Sequence, residues 1–112
     1  MTHIQYDRAA LSLTMEGHAG AGEKGGDLVC AALSMLMMTL QRRTQETAER
    51  TLPSIRREPG CFAIRCTPEG DEALCRECFD TVAAGLAVLA ENRPEEVTLT
   101  LMGEVPEQED EE

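Results

Sequence analysis

His18 and Cys30 form a pair of the types needed to open a carbonyl in this 112-residue chain. His18 follows Gly17 at the end of an alternating apolar stretch, and Cys30 follows Asp27-Leu28-Val29 at the start of a helical pattern. A thiolate is the nucleophile such a pair supplies, and imidazole is the side chain whose ordinary pKa lets it take the thiol proton near neutral pH. Between the two, residues 19–26 hold Gly20, Gly22, Gly25 and Gly26. That composition predicts a mobile loop that can close over an extended substrate. An early position in a helix also favours the thiolate, because unpaired N–H groups and aligned peptide dipoles stabilise negative charge.

Rigid elements must hold these parts. Residues 2–6 read as a short strand, with a turn at Asp7-Arg8. Residues 10–16 alternate Leu11, Leu13 and Met15 against Ser12, Thr14 and Glu16, the pattern of a half-buried strand. Asp27 is a good N-cap, which predicts a first helix from Leu28 into the mid-forties with Val29, Leu33, Leu36 and Leu40 on its buried side. Pro53 stops any helical continuation. Glu58-Pro59-Gly60 is a turn signal between residues 54–57 and 61–66, predicting a hairpin. A second helix is expected over residues 71–91 with a stripe of Leu74, Cys78, Val82, Leu86 and Leu89. Asn92-Arg93-Pro94 ends it, and Val97, Leu99 and Leu101 alternate into a last strand. The order β-β-α-β-β-α-β predicts an α+β fold, with two helices packed on one face of a mostly antiparallel sheet.

Asp27 and Ser34 stand beside the pair. The cap role is the first reading of Asp27, and a cap that also orients His18 is compatible with it. A carboxylate aimed at the sulfur would oppose its ionisation. Ser34 lies one helical turn beyond Cys30. Its hydroxyl can bond back to the Cys30 carbonyl, or reach substrate or His18. His3, near the chain start, has no assigned role.

The segments Gly17-His18-Ala19-Gly20, Glu23-Lys24-Gly25 and Asp27-Leu28-Val29-Cys30-Ala31-Ala32-Leu33-Ser34 resemble the signature of the Prp family, ribosomal-processing cysteine proteases of Firmicutes and related bacteria. The resemblance implies an α/β fold, a homodimer, and removal of a short N-terminal extension from large-subunit ribosomal protein L-twenty-seven. It assigns His18 as base, Cys30 as nucleophile, Asp27 and Ser34 as supporting residues, and residues 19–26 as the mobile loop over the site. No metal or organic cofactor is implied. Cysteines in the second half of the chain and the acidic end lie outside the family pattern.

Composition bounds the partners. The net charge of −11 argues against direct contact with nucleic acid and suits a basic protein substrate. Glu104, Glu107, Glu109, Asp110, Glu111 and Glu112 concentrate negative charge in residues 104–112, read as a disordered tail after a single domain over residues 1–103. The apolar run 28–38 is too short to span a bilayer, no signal peptide is evident, and a cytoplasmic location is expected. Five cysteines without a regular framework read as reduced thiols. Cys75 and Cys78 with Cys61 and Cys66 raise a zinc or redox site, but the C-x-x-C pair falls within a helical pattern, where core thiols are the better reading. Met35, Met37 and Met38 read as core or dimer contacts. Besides the endopeptidase, a non-enzymatic dimeric module that binds a basic ribosomal or assembly partner fits the same charge.

Overall fold

The computed structural model describes residues 1–17, 24–46, 51–58, 60–68 and 72–103. Its elements are β1 (Thr2–Asp7), β2 (Ser12–Gly17), α1 (Lys24–Glu46), β3 (Thr51–Glu58), β4 (Cys61–Pro68), α2 (Glu72–Asn92) and β5 (Val97–Met102). The order matches the expected β-β-α-β-β-α-β. The strands form one sheet ordered β3-β4-β2-β1-β5. All neighbours are antiparallel except β1 and β5, which run parallel. That parallel pair follows from α2, which carries the chain from β4 across the sheet to β5.

Period-two alternation decides which face is covered. Ile4 and Tyr6 of β1, Leu13 of β2, Phe62 and Ile64 of β4 and Val97 of β5 are all buried. Val29, Leu33, Met37 and Leu40 of α1 and Phe79, Val82 and Leu86 of α2 close over them. The other face carries His3, Gln5, Thr14 and Thr98, with His3 Nδ1 2.9 Å from the Thr98 hydroxyl. The helices themselves meet where Gly85 lets Leu36 in: a Cβ there would stand 2.9 Å from a Leu36 methyl.

Several boundaries differ from the sequence reading. The first helix begins at Lys24, about one turn before Leu28. Asp27 is therefore inside its first turn rather than at the N-cap, and Gly25 and Gly26 are helical rather than in the loop. Glycine's poor helix propensity, about 1 kcal/mol each, hides such an extension. An acidic Asp27 suits the positive end of the helix from within the turn as well as from the cap. Leu11 is not in β2: it takes φ 54° in the preceding turn and still buries its side chain. The Asp7 carboxylate organises that turn by accepting the Ala10 N–H at 3.0 Å. The buried stripe of α2 is Cys75, Phe79, Val82, Ala83 and Leu86, while Leu74 is 40% exposed. Leu74-Cys78-Val82 is equally helical in spacing, but Phe79 takes the core position and stacks on Tyr6 with centroids 6.0 Å apart. The methionines divide: Met37 is buried, Met35 and Met38 are exposed.

A polar cluster fastens the far end of β1. The Tyr6 hydroxyl donates to Asp80 Oδ1 at 2.6 Å, and Arg8 donates to both carboxylate oxygens at 3.0 and 2.9 Å. Arg76 on the same helix donates to the Arg8 carbonyl at 3.1 Å. The Arg8 guanidinium, with help from the Tyr6 hydroxyl, holds the Asp80 carboxyl below its ordinary range against the opposing pull of burial. Burial first, and then Asp80, push the Tyr6 phenol well above its ordinary value. The opposite end of β1, at Thr2, opens onto a cleft.

Candidate active site

The cleft has a volume of about 430 Å³ and lies between α1 and one end of the sheet. Its apolar floor is Met15, Leu33 and Phe62, and its rim carries Ser34, Arg57 and Glu58. Cys30 opens into it from α1, half-buried and packed against the core. Ser34, one turn along the same helix, lines it too and is exposed. Two expected site residues thus converge on one cavity.

Gly17 ends the wall formed by β2. Its N–H donates to the Gly60 carbonyl at 2.8 Å, joining the strand to the tip of the β3–β4 hairpin. Its φ is +99°, and the Met1 carbonyl occupies the place of a Cβ. Both facts demand glycine there. The next residue along the chain is His18. His18, Gly20 and Gly22 lie outside the described residues, as do most of the expected loop and residues 104–112. Asp27 and the loop glycines Gly25 and Gly26 are placed in the first turn of α1.

Nothing in residue order marks Arg57, Glu58 or Phe62 as cleft residues. The Glu58-Pro59-Gly60 signal located the hairpin, but which end of the sheet its tip reaches depends on long-range pairing, Met15 against Phe62 and Glu16 against Cys61. The Arg57 guanidinium carbon lies 5.7 Å from the centroid of the Phe62 ring, so the cation covers part of the floor.

The other cysteines separate from Cys30 and from one another. Cys66 and Cys75 are in the core, and their thiols are hydrogen-bonded. Burial, then the Cys66 partner, push the Cys75 thiol up to about 12. Cys78 meets Arg43 between the two helices. Cys61 contributes to the cleft wall, but strand alternation sets its side chain with Glu16 and Arg56 on the uncovered face. None of the five is in a disulfide, and among the described residues no group of three or more His, Cys, Asp or Glu side chains could hold a metal ion.

A thiol opening into a cleft from a rigid helix, on an α+β scaffold of this topology, is an arrangement that a cysteine protease can use. The family model described as Cysteine protease Prp matches residues 1–98. The chain belongs to that family, which decides for a peptidase over a non-catalytic module. Among solved structures, SMU.848 from Streptococcus mutans is similar at 27% identity and a TM-score of 0.69, over 92% of this chain and 93% of that one. The essential ribosomal processing protease Prp from S. aureus, solved with a covalently linked product peptide, is similar at 25% identity and a TM-score of 0.72, over 89% and 96%. The same S. aureus protease with a substrate peptide shares the fold at 22% identity and a TM-score of 0.75, over 90% and 99%. No match was found among curated proteins.

Proposed function

We propose that Cys30 is the nucleophile and His18 its base in an endopeptidase that removes the N-terminal extension of ribosomal protein L-twenty-seven. The observation that carries this is the environment of Cys30. It opens into the cleft whose wall ends at Gly17, one residue before the histidine, whereas Cys66 and Cys75 are shut in the core. Cys30 attacks the scissile carbonyl, and its proton goes to His18. The C–N bond then breaks as His18 returns a proton to the leaving amine. Water then attacks the thioester as His18 takes its proton, and the C–S bond breaks to release the carboxylic acid product as His18 returns that proton to the Cys30 sulfur. Because α1 starts at Lys24, Cys30 lies in the second turn rather than the first. At that depth in the helix, the proton of the thiol is left for His18 to take. Ser34 acts from the rim on substrate or on the imidazole, and Asp27 supports the start of the helix. The chain before α1, with Gly20 and Gly22, is the part that adapts to substrate, while Gly25 and Gly26 belong to the first turn of the helix.

A ribosomal substrate is supported by the S. aureus relative, whose name states ribosomal processing and which was solved with peptides. The net charge of −11 suits a basic precursor. We further infer a homodimer acting in the cytoplasm. Leu28, Met35 and Met38 are 70%, 65% and 48% exposed and, with exposed Ala31, recur along one outer stripe of α1 at the spacing a second helix would cover. Among the described residues no helix is long and apolar enough to cross a membrane. Incubating the organism's own L-twenty-seven precursor with the protein should give a shortened product by intact mass. An unchanged precursor overturns the substrate assignment. Light scattering at micromolar concentration should report about twice the 12.2 kDa chain mass.

A further inference from the structure

The cleft accounts for the reacting bond but not for the rest of an extended peptide. The strand nearest to it on the outside of the sheet is β3, which has β4 on one side and no described strand on the other. Ladder geometry decides which β3 residues face that free edge. In an antiparallel ladder, both polar groups of one residue point to the same side, and those of the next residue to the other. The Cys66 N–H donates to the Leu11 carbonyl at 3.0 Å, toward β2. Phe62 and Ile64 therefore also turn toward β2, and Cys61, Ala63 and Arg65 turn toward β3. Their partners Glu58, Arg56 and Ser54 complete that ladder. Arg57, Ile55 and Pro53, opposite Phe62, Ile64 and Cys66, are left with their backbone groups on the free edge.

Pro53 corroborates the assignment, because it has no N–H and sits where the ladder needs none. It also closes the early part of the edge to a partner strand, as prolines at sheet edges do. What stays open is Ile55 to Arg57, two donors and two acceptors in strand spacing. This open stretch ends at the cleft, since Arg57 is itself a lining residue. The other edge, β5, contributes nothing to the cleft among the described residues.

We propose that the substrate docks by adding a strand to β3, pairing its backbone with Ile55 and Arg57 so that the following bond enters the cleft. This deepens the peptidase reading and rests on it. The partner is an extended peptide, held mainly by main-chain hydrogen bonds, with side chains left to the apolar floor for selection.

The test uses a synthetic peptide spanning the proposed cleavage junction of L-twenty-seven. Ile55→Pro removes an edge N–H without touching the β4 ladder, and Ile55→Val is its side-chain control. KM should rise about 5- to 10-fold for the proline variant relative to the valine one, the loss expected for one hydrogen bond. If the proline variant does not fold, single N-methylations along the peptide give the same information, with losses at every second residue. In Cys30→Ala protein with saturating peptide, amide exchange at Ile55 and Arg57 should slow at least about tenfold, while Arg56 and Glu58, already bonded, change little. Cleavage without protection or alternation overturns edge docking and leaves the peptidase reading standing. Protection without cleavage by the wild type keeps the edge and overturns the substrate assignment. Neither protection nor cleavage overturns both. Protection that appears without peptide as protein concentration rises means that a second copy occupies the edge, and overturns the proposal.

Discussion

Each helix places a cysteine near its start, and the two thiols have opposite surroundings. Cys75 is three residues after Glu72, the first residue of α2, and Cys30 is six after Lys24, the first of α1. By helix position alone, Cys75 should ionise more readily. It does the reverse: with 1% exposure and Cys66 against it, its thiol is pushed up to about 12. Burial removes the water that a thiolate needs, and a turn of peptide dipoles does not replace it. Cys30 is less favoured by the helix but opens into a cleft. Access to a cleft, rather than position in a helix, separates Cys30 from a core thiol.

The sharpest break of that comparison is a pair of substitutions. Cys30→Ala should abolish precursor cleavage with the fold intact by circular dichroism, whereas Cys75→Ala should keep cleaving and lose stability instead. Appreciable cleavage by Cys30→Ala, measured by intact mass, removes Cys30 as nucleophile. His18→Ala should slow cleavage by about 10² to 10⁴, the range for general acid–base help. It should also slow iodoacetamide labelling of Cys30, because the thiolate loses its support. In the native wild type, Cys30 should alkylate far ahead of Cys66 and Cys75, which should label only on unfolding. Equal labelling rates of Cys30 and Cys75 would dissolve the distinction between the two helices.

The same contrast shows what could be read from residue order. Element order and the helix-on-sheet design follow from period-two and period-3.6 patterns, and the structure has both. The buried side of α2 did not follow, because Leu74-Cys78-Val82 and Cys75-Phe79-Val82 are both helical. Only the ring contact of Phe79 with Tyr6 chooses between them. Cys30 and Ser34 were legible because they lie on one face of one helix. Arg57, Glu58 and Phe62 were not, since they reach the cleft through strand pairing across the sheet. The start of α1 is hidden in residue order because a glycine pair reads as loop by composition.

A smaller test works through pH. The Cys75 thiol is raised from its ordinary 9.0 to about 12 in the folded chain. The unfolded thiol therefore ionises first, so this contribution to stability is fully present below about pH 9 and is lost as pH rises toward 12. The Tyr6 phenol, also raised, adds a loss of the same sign from about pH 10 upward. Urea midpoints should fall between about pH 8 and about pH 11, and fall less in Cys75→Ala. An identical fall in that variant would mean that Cys75 ionises as an exposed thiol does. Around Cys30, Gly17→Ala should cost about 1–3 kcal/mol, the range for a strained backbone position, since its φ of +99° and the Met1 carbonyl both oppose a side chain. Because the distortion falls one residue before His18, cleavage should drop more than unfolding explains, as measured at a temperature where the variant is fully folded.

The smallest effect separates two versions of the site. With α1 starting at Lys24, Gly25 and Gly26 are in its first turn. Glycine is about 1 kcal/mol poorer than alanine in a helix interior and less so in the first turn, where N–H groups lack partners in any case. Replacing both glycines with alanine should then raise stability by roughly 1 kcal/mol in total, seen as a higher urea midpoint with unchanged slope. If the helix instead started at Leu28, the same glycines would serve a loop that needs unusual backbone angles. Alanine would then lower stability and impair cleavage together. A stabilised variant that still cleaves confines the adaptable loop to the chain before Lys24. It also leaves Cys30 a full turn deeper in α1 than residue order suggested, with His18 as the main support of its thiolate.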